Sequence, residues 1–386
     1  MTIPEHFENR SLLLLVSGIK GAIGSTLAVA ASALRAKDVS AAGSLTTRDK
    51  FTDILPVDAL YVAGWDNRDD DLADCARGCS VLPPTVMQAH GAALADVPVL
   101  KAPNGQALDR QVEQLEADIE SLKSQFPGSR PVLVNLLPAA PGIDPGRATD
   151  LASLNQCVTP EKLPDLAYVL AAIRRGVPVI NFTPNSVELD PVVALAEETG
   201  VPLVGRDGKT GQTYFKVVLA SALKARNLYV DGWYSMNILG NADGRNLMVP
   251  ERAAGKLANK TNLLDEVLGY PVGERYGQPT HKVQIDYYPP RGDAKEAWDV
   301  IDFLGMFDLP MSLRIDLQGR DSILAAPMAI DLARWMFMLQ LAGRRGLVPE
   351  LAFFFKHPLG ENAARTFQDQ LAALDQLESE IMNALQ

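Results

Sequence analysis

Between Gly205 and Lys260 three polar segments follow one another closely: GRDGKTGQT (205–213), SMNILGNADG (235–244), and two lysines four apart, Lys256 and Lys260. Glycines let a backbone approach a ligand, small hydroxyls and amides bond sugar oxygens, and ammonium groups attract phosphate. Few bulky apolar residues interrupt these segments, so the stretch suits a phosphorylated polyhydroxy ligand better than a packed core. On a helix, Lys256 and Lys260 would share one face, each lowering the other's proton affinity while both attract an anion. A lysine desolvated in this way exchanges protons near neutral pH.

A second cluster of chemistry-bearing residues lies in the N-terminal half. Gly18, Gly21 and Gly24 have the outer spacing of a dinucleotide-binding turn, with the middle glycine displaced by one from G-x-G-x-x-G. Such a turn brings a pyrophosphate against a helix N-terminus; a tight turn with close helix packing reads equally well from the residues alone. Asp66, Asn135, Thr183 and Asn185 each follow or interrupt an apolar run. In an open α/β sheet, ligands bind beyond the carboxyl ends of the strands, so these four are candidates for ribose, nicotinamide or phosphate, against the alternative of turns and helix caps.

The elements that must position them are legible as apolar runs. SLLLLVSG (11–18), ALYVAGWD (59–66), PVLVNLL (131–137), VPVINFTP (177–184) and VPLVG (201–205) read as buried strands. Segments 18–34, 107–126 and 163–176 between them read as helices, which predicts a doubly wound, mostly parallel α/β sheet. After residue 213 the pattern changes. A helix over 214–227 is followed by alternating, half-exposed strands at 227–239, 281–290 and 311–319, and then by a buried helix over 322–346. The expected organisation is a Rossmann-like domain of residues 1–214 plus 321–386, with 215–320 inserted as an α+β domain.

Bulk properties narrow the partners. The chain has 386 residues, 47% of them hydrophobic and 22% charged, with a formal net charge of −11. That charge argues against nucleic acid or an anionic membrane as partner and for a small ligand held by a local cluster of cations. Cys75, Cys79 and Cys157 make no disulfide framework, and His6, His90, His281 and His357 lack metal-ligand spacing, so a reducing cytoplasm is expected and no metal is assigned. MTIPEHFENR places acidic residues before a first apolar run too short to span a bilayer, which predicts neither signal peptide nor anchor.

In combination, GRDGKTGQT, NILGNADG, the spaced Lys256 and Lys260, GDAKEAWD (292–299), GRDSILAAPMAIDL (319–332) and FFFKHPLG (353–360) resemble the myo-inositol-phosphate synthase family, in order and over roughly residues 180–360. GWD (64–66) and the glycine turn extend the resemblance to the N-terminus. It implies a Rossmann domain completed by the chain's end, an inserted catalytic and tetramerising domain, tightly held NAD, and a homotetramer. The implied reaction is isomerisation of glucose 6-phosphate: oxidation at C5, enolisation at C6, aldol closure onto C1, and re-reduction. A related carbocyclase acting on another hexose phosphate such as fructose 6-phosphate, and a non-catalytic NAD-binding assembly protein, are the alternatives. A divalent cation or ammonium ion is a further implied assistant.

Carried onto this sequence, the resemblance assigns catalysis to Lys256, Lys260, Lys295, Lys356 and Asp207. Phosphate and sugar fall to Thr210, Gly211, Gln212, Thr213, Asn237, Leu239 and Asn241. The cofactor falls to Gly18, Lys20, Gly21, Ala22, Ile23, Gly24, Asp66, Thr183, Asn185, Asp207, Asp243, Asp321 and Ser322. For Asp243, within N-A-D-G, a turn-forming role competes. The first turn, IKGAIGST, departs from the asparagine-rich pattern common in eukaryotic members, and the length is that of the compact prokaryotic type.

Overall fold

The computed structural model describes residues 11–38, 51, 54–141, 143–144, 148–159, 161–248 and 263–385. Lys256 and Lys260, and the side chain of Asp243, lie outside the described residues.

The apolar runs become a seven-stranded sheet. Its strands are β1 (Ser11–Ser17), β2 (Leu60–Trp65), β3 (Val99–Leu100), β4 (Ser129–Asn135), β5 (Val179–Asn181), β6 (Pro202–Gly205) and, from near the chain's end, β11 (Gly346–Leu347). They lie in the order β11-β6-β5-β4-β1-β2-β3, every neighbouring pair parallel. The order reverses at β1, whose neighbours are β2 and β4, so the topological switch point of a doubly wound sheet falls at its carboxyl end. Helices α1 (Ala22–Arg35), α2 (Leu108–Gln125), α3 (Asp165–Arg174), α4 (Asp190–Glu198), α5 (Gln212–Ala225), α6 (Asp321–Leu341) and α7 (Phe367–Ala384) complete the frame.

Alternate residues of β1 feed two cores. Leu12, Leu14 and Val16 pack with α1, α6 and α7, whereas Leu13 and Leu15 pack with α2, α3 and α4. Burial on both faces is why the strands are continuous apolar runs rather than alternating ones. It also makes α6 and α7 structural parts of a sheet laid down more than a hundred residues earlier. The turn after β1 depends on its glycines. Gly18 sits at φ +80°, and a Cβ on Gly24 would come within 2.5 Å of the Ile19 carbonyl oxygen, so α1 seats on this turn only without a side chain there.

A second, four-stranded sheet holds β7 (Tyr229–Leu239), β8 (His281–Tyr287), β9 (Ala294–Leu304) and β10 (Pro310–Arg320) in the order β10-β9-β7-β8. β9 is antiparallel to both its neighbours, while β7 and β8 run parallel. One face packs on α5, where Val217, Ala220, Val230, Trp233 and Ile301 share a core. The other leaves Tyr234 and Trp298 nearly half exposed.

Three sequence expectations are corrected here. β9 is a central strand that the sequence reading treated only as a motif, because its charged and apolar residues interleave. The strand expected over 281–290 stops at Tyr287, where Pro289–Arg291 turns. The helix expected over 322–346 stops at Leu341, since Gly343 at φ +72° supplies the left-handed residue that ends a helix. That helix is long and apolar enough to cross a membrane, but 78% of its most apolar window is buried inside the protein.

Candidate active site

The carboxyl ends of β2, β1, β4, β5 and β6 present, in spatial order, Asp66, the Gly18–Gly24 turn, Asn135, Thr183 and Asp207. Asp207 stands in a loop zipped on both sides. Its N–H donates to the Thr183 carbonyl at 2.9 Å, its own carbonyl accepts from Lys356 N–H at 2.7 Å, and Arg206 and His357 exchange backbone bonds. The FFFKHPLG segment is thereby fixed against β6, and Lys356 Nζ, largely buried, donates to the buried Asp207 Oδ1 at 2.7 Å.

Beyond this loop two helix N-termini converge on one cleft. No side chain caps α5, whose N-cap is Gly211. α6 begins at Asp321, directly off β10. Thr210 Oγ1 donates to Asp321 Oδ1 at 3.1 Å, and Lys295 Nζ, from β9, donates to Asp321 Oδ2 at 3.1 Å. Burial works against ionisation of Asp321, but Lys295, Lys356 and the Thr210 hydroxyl outweigh it, and its pKa is held down at about 2. The helix N-terminus favours the same anion. Thr210, Gly211, Gln212, Thr213, Asn237, Leu239, Lys295, Asp321 and Lys356 thus line one cleft of about 380 Å³, open solvent at its mouth included, with Leu247 and Ile285 closing its apolar side. Free helix N–H groups beside two ammonium groups form a phosphate-sized anion site.

Behind the cleft lies a buried cluster. Asp299, on the same face of β9 as Lys295, accepts from Gln212 Nε2 at 2.8 Å, Trp233 Nε1 at 2.7 Å and Ser235 Oγ at 2.5 Å. Lys216 Nζ is 4.0 Å from Asp299 and 2.9 Å from His281 Nε2. Burial, opposed by Asp299 and reinforced by Lys295, brings the Lys216 pKa down to about 8. Asp293 accepts from Ser322 Oγ at 3.2 Å and Asn241 Nδ2 at 3.4 Å. Burial raises its pKa against those two bonds.

Several buried atoms have no hydrogen-bond partner among the described residues: Asp207 Oδ2, Asp293 Oδ2, and both Asn237 Oδ1 and Nδ2. Each such group costs about 1–3 kcal/mol unless a partner arrives, and three such residues at one end of the molecule mark where a polar ligand belongs. At the other end of the sheet edge the α1 N-terminus is likewise uncapped, above the Gly18–Gly24 cradle. These features fit a dinucleotide, whose pyrophosphate the glycine turn and the α1 N-terminus would hold. Among the described residues, no three His, Cys, Asp or Glu side chains gather as a metal centre.

The expected cofactor residues divide. Gly18, Gly21, Ala22, Ile23 and Gly24 form the turn and helix start, and Lys20 N donates to Asp66 Oδ2 at 3.0 Å. Thr183 and Asn185 stand at the right edge, but their side chains are engaged internally. With Ser17, Asn135 and Asn181 they surround the buried carboxylate of Asp165, whose Oδ2 accepts from Asn185 Nδ2 at 2.9 Å and whose Oδ1 accepts from Asn135 Nδ2 at 2.7 Å. Burial raises the pKa of Asp165 against those bonds. Lys216, Asp293 and Asp299 were missed by sequence reasoning. Period-two spacing along GDAKEAWD, which puts residues 293, 295, 297 and 299 on one strand face, is the signal that finds two of them.

Residues 211–322 match the family model described as myo-inositol-1-phosphate synthase. The chain is 32% identical to an inositol-3-phosphate synthase of Bacteroides thetaiotaomicron, over 90% of this chain and 89% of that protein. It is 30% identical to the Drosophila melanogaster enzyme of the same name over 75% of this chain, a match spanning half of the longer relative. The crystal structure of the Caenorhabditis elegans inositol-3-phosphate synthase shares the fold, with a TM-score of 0.83 at 20% identity over 97% of this chain and 86% of that one. A myo-inositol-1-phosphate synthase-related protein from Thermotoga maritima does so at 0.75 and 20% identity, over 96% of this chain and 98% of that one. Together with the cleft in which Lys295, Lys356 and the 210–213 loop meet, these likenesses make the chain a member of the inositol-3-phosphate synthase family.

Proposed function

We propose that this protein cyclises glucose 6-phosphate to 1D-myo-inositol 3-phosphate in a nicotinamide-dependent cycle without net redox change. The observation that carries this reading is one cleft holding two lysines, each hydrogen-bonded to its own carboxylate, beside a helix N-terminus and an asparagine side chain that have no side-chain partner among the described residues. The Gly18–Gly24 turn and the α1 N-terminus would hold NAD, which would supply reversible hydride acceptance at C5. The chain's residues do the rest.

Thr210, Gly211, Gln212 and Thr213 bind phosphate through backbone N–H groups and hydroxyls, and Asn237 bonds sugar oxygens. Lys356, hydrogen-bonded to Asp207, passes a proton to that carboxylate, takes the C5 hydroxyl proton in its place and later returns it. Lys295, anchored on Asp321, stabilises the oxyanion that develops as the C6 carbanion adds to the C1 aldehyde, a task in which one donor is worth about 3 kcal/mol. The resemblance assigns catalysis to Lys256 and Lys260 as well, which lie outside the described residues. One C–H and one O–H bond break at C5 and are remade, a proton leaves C6 and one arrives at the former aldehyde oxygen, so the sum is an isomerisation.

The protein acts in the cytoplasm as a homotetramer. Tyr234 and Trp298, nearly half exposed on the outer face of the second sheet, support assembly through that face. In single-turnover mixing with glucose 6-phosphate and NAD, reduced dinucleotide should rise and then return to its starting level. A stoichiometric, lasting rise would identify a simple dehydrogenase and refute the cyclase reading.

A further inference from the structure

A carboxylate at the end of β2 reads the adenosine ribose in NAD-binding domains by accepting a hydrogen bond from the 2′-hydroxyl, whereas a nearby arginine accommodates the 2′-phosphate of NADP. Asp66 occupies that place, but its acceptor capacity is filled. Oδ1 accepts from Arg68 N–H at 3.0 Å and Arg68 Nε at 3.2 Å. Oδ2 accepts from Lys20 N–H at 3.0 Å and Arg68 Nη2 at 3.2 Å. Four bonds use the roughly four lone-pair sites of a carboxylate. Burial opposes the charge of Asp66, the Arg68 bonds outweigh burial, and its pKa lies below the usual carboxylate range. Its charge is therefore present but already neutralised.

Arg68 lies beside the cofactor turn, of which the buried Lys20 is itself a part. A Cβ added to Gly21 would lie 3.9 Å from Arg68 Nη2, and Lys20 Nζ donates to the Arg68 carbonyl at 2.5 Å. Arg68 is half exposed. A guanidinium has five donors; two go to Asp66, which leaves others for a ligand. Of the acidic residues that follow, Asp69 pairs with Lys101 and Asp71 caps the next helix. Asp70 is exposed. We infer that this chain binds NADP(H) as well as NAD(H), with Arg68 and Lys20 as the subsite for a 2′-phosphate and Asp66 as the anchor that positions them. The inference rests on the dinucleotide reading above and adds a second cofactor to it.

Calorimetric titration of nucleotide-free protein with NAD and with NADP, at one ionic strength, tests it. The two dissociation constants should agree within about tenfold, and Arg68→Gln should weaken NADP by about tenfold or more, the worth of one charge-assisted bond, while NAD changes less than about threefold. Arg68 is exposed, so the variant should fold, which its circular dichroism would verify. A wild-type NADP constant more than about tenfold above that for NAD, or a loss in Arg68→Gln that is smaller or shared by both nucleotides, would overturn the inference. Binding of neither nucleotide would refute the dinucleotide reading, and this inference with it.

Discussion

Removing the Lys356 ammonium should unsettle the protein and silence it, by separable routes. Asp207 and Lys356 are 5% and 12% exposed, with Nζ and Oδ1 2.7 Å apart. At an effective dielectric constant of about 20 that spacing corresponds to roughly 6 kcal/mol of attraction, much of it offset by desolvation. Among the described residues the second carboxylate oxygen of Asp207 has no hydrogen-bond partner, so Lys356→Met leaves that buried anion without a described side-chain donor. Breaking one side of such a pair costs about 3–5 kcal/mol. The double variant Asp207→Asn, Lys356→Met removes the charge as well and should recover most of that loss, giving a coupling of about 2–3 kcal/mol. Urea denaturation of the four proteins measures the cycle, and turnover of glucose 6-phosphate is followed alongside. The double variant should regain stability and stay inactive, because the ammonium is absent from both. A coupling below about 0.5 kcal/mol would show that the pair does not exist as described.

The acid limb of stability should carry the signature of Asp321. Its folded pKa of about 2 lies below the ordinary 3.8, so its stabilisation is present above about pH 4 and is lost as pH falls towards 2. This is worth at most about 2 kcal/mol, less because solvent reaches the cleft; Asp321→Asn should flatten that limb, and equal acid slopes would contradict it. Lys209, buried with Nζ 2.7 Å from Gln370 Oε1, has its pKa lowered by burial from 10.5 to about 7. The unfolded chain binds the extra proton between those values, so stability should rise with pH from about 7 to 10.5 in the wild type and lose that slope in Lys209→Met, as denaturation midpoints against pH would reveal. An unchanged slope would refute the assignment. Trp298→Lys places a charge on the outer face of the second sheet and should yield smaller assemblies in sedimentation velocity; an unaltered sedimentation coefficient would remove that face from the interface.

Much of this was legible because the first sheet is buried on both sides. β1 runs from Ser11 to Ser17 where an apolar run was read over 11–18, and α2 spans Leu108–Gln125 where a helix was read over 107–126. The cleft was legible residue by residue where a motif carried it, so Thr210, Asn237, Lys295 and Lys356 meet as expected. What escaped depends on distant neighbours. Asp299 reaches Gln212 across 87 residues, and no local pattern announces that a lysine in the middle of α5 will be buried beside it. Asn135, Thr183 and Asn185 were read as facing the ligand because they end strands. Asp165 turns them inward, since a buried carboxylate must be given donors. β9 escaped for the opposite reason: Lys295, in the cleft, and Asp299, in the cluster behind it, interrupt its apolar face.

Ring closure is the central step assigned to this cleft. Nuclear magnetic resonance of purified protein incubated with glucose 6-phosphate carrying carbon-13 at C1, in the presence of NAD, reads that step directly. The label should move from an aldehyde carbon to a ring carbon of an inositol phosphate, with no net reduced dinucleotide, and Lys295→Met should abolish the new signal while dinucleotide still binds. Label that stays in the sugar, or that appears only in an oxidised open-chain product, would contradict the account.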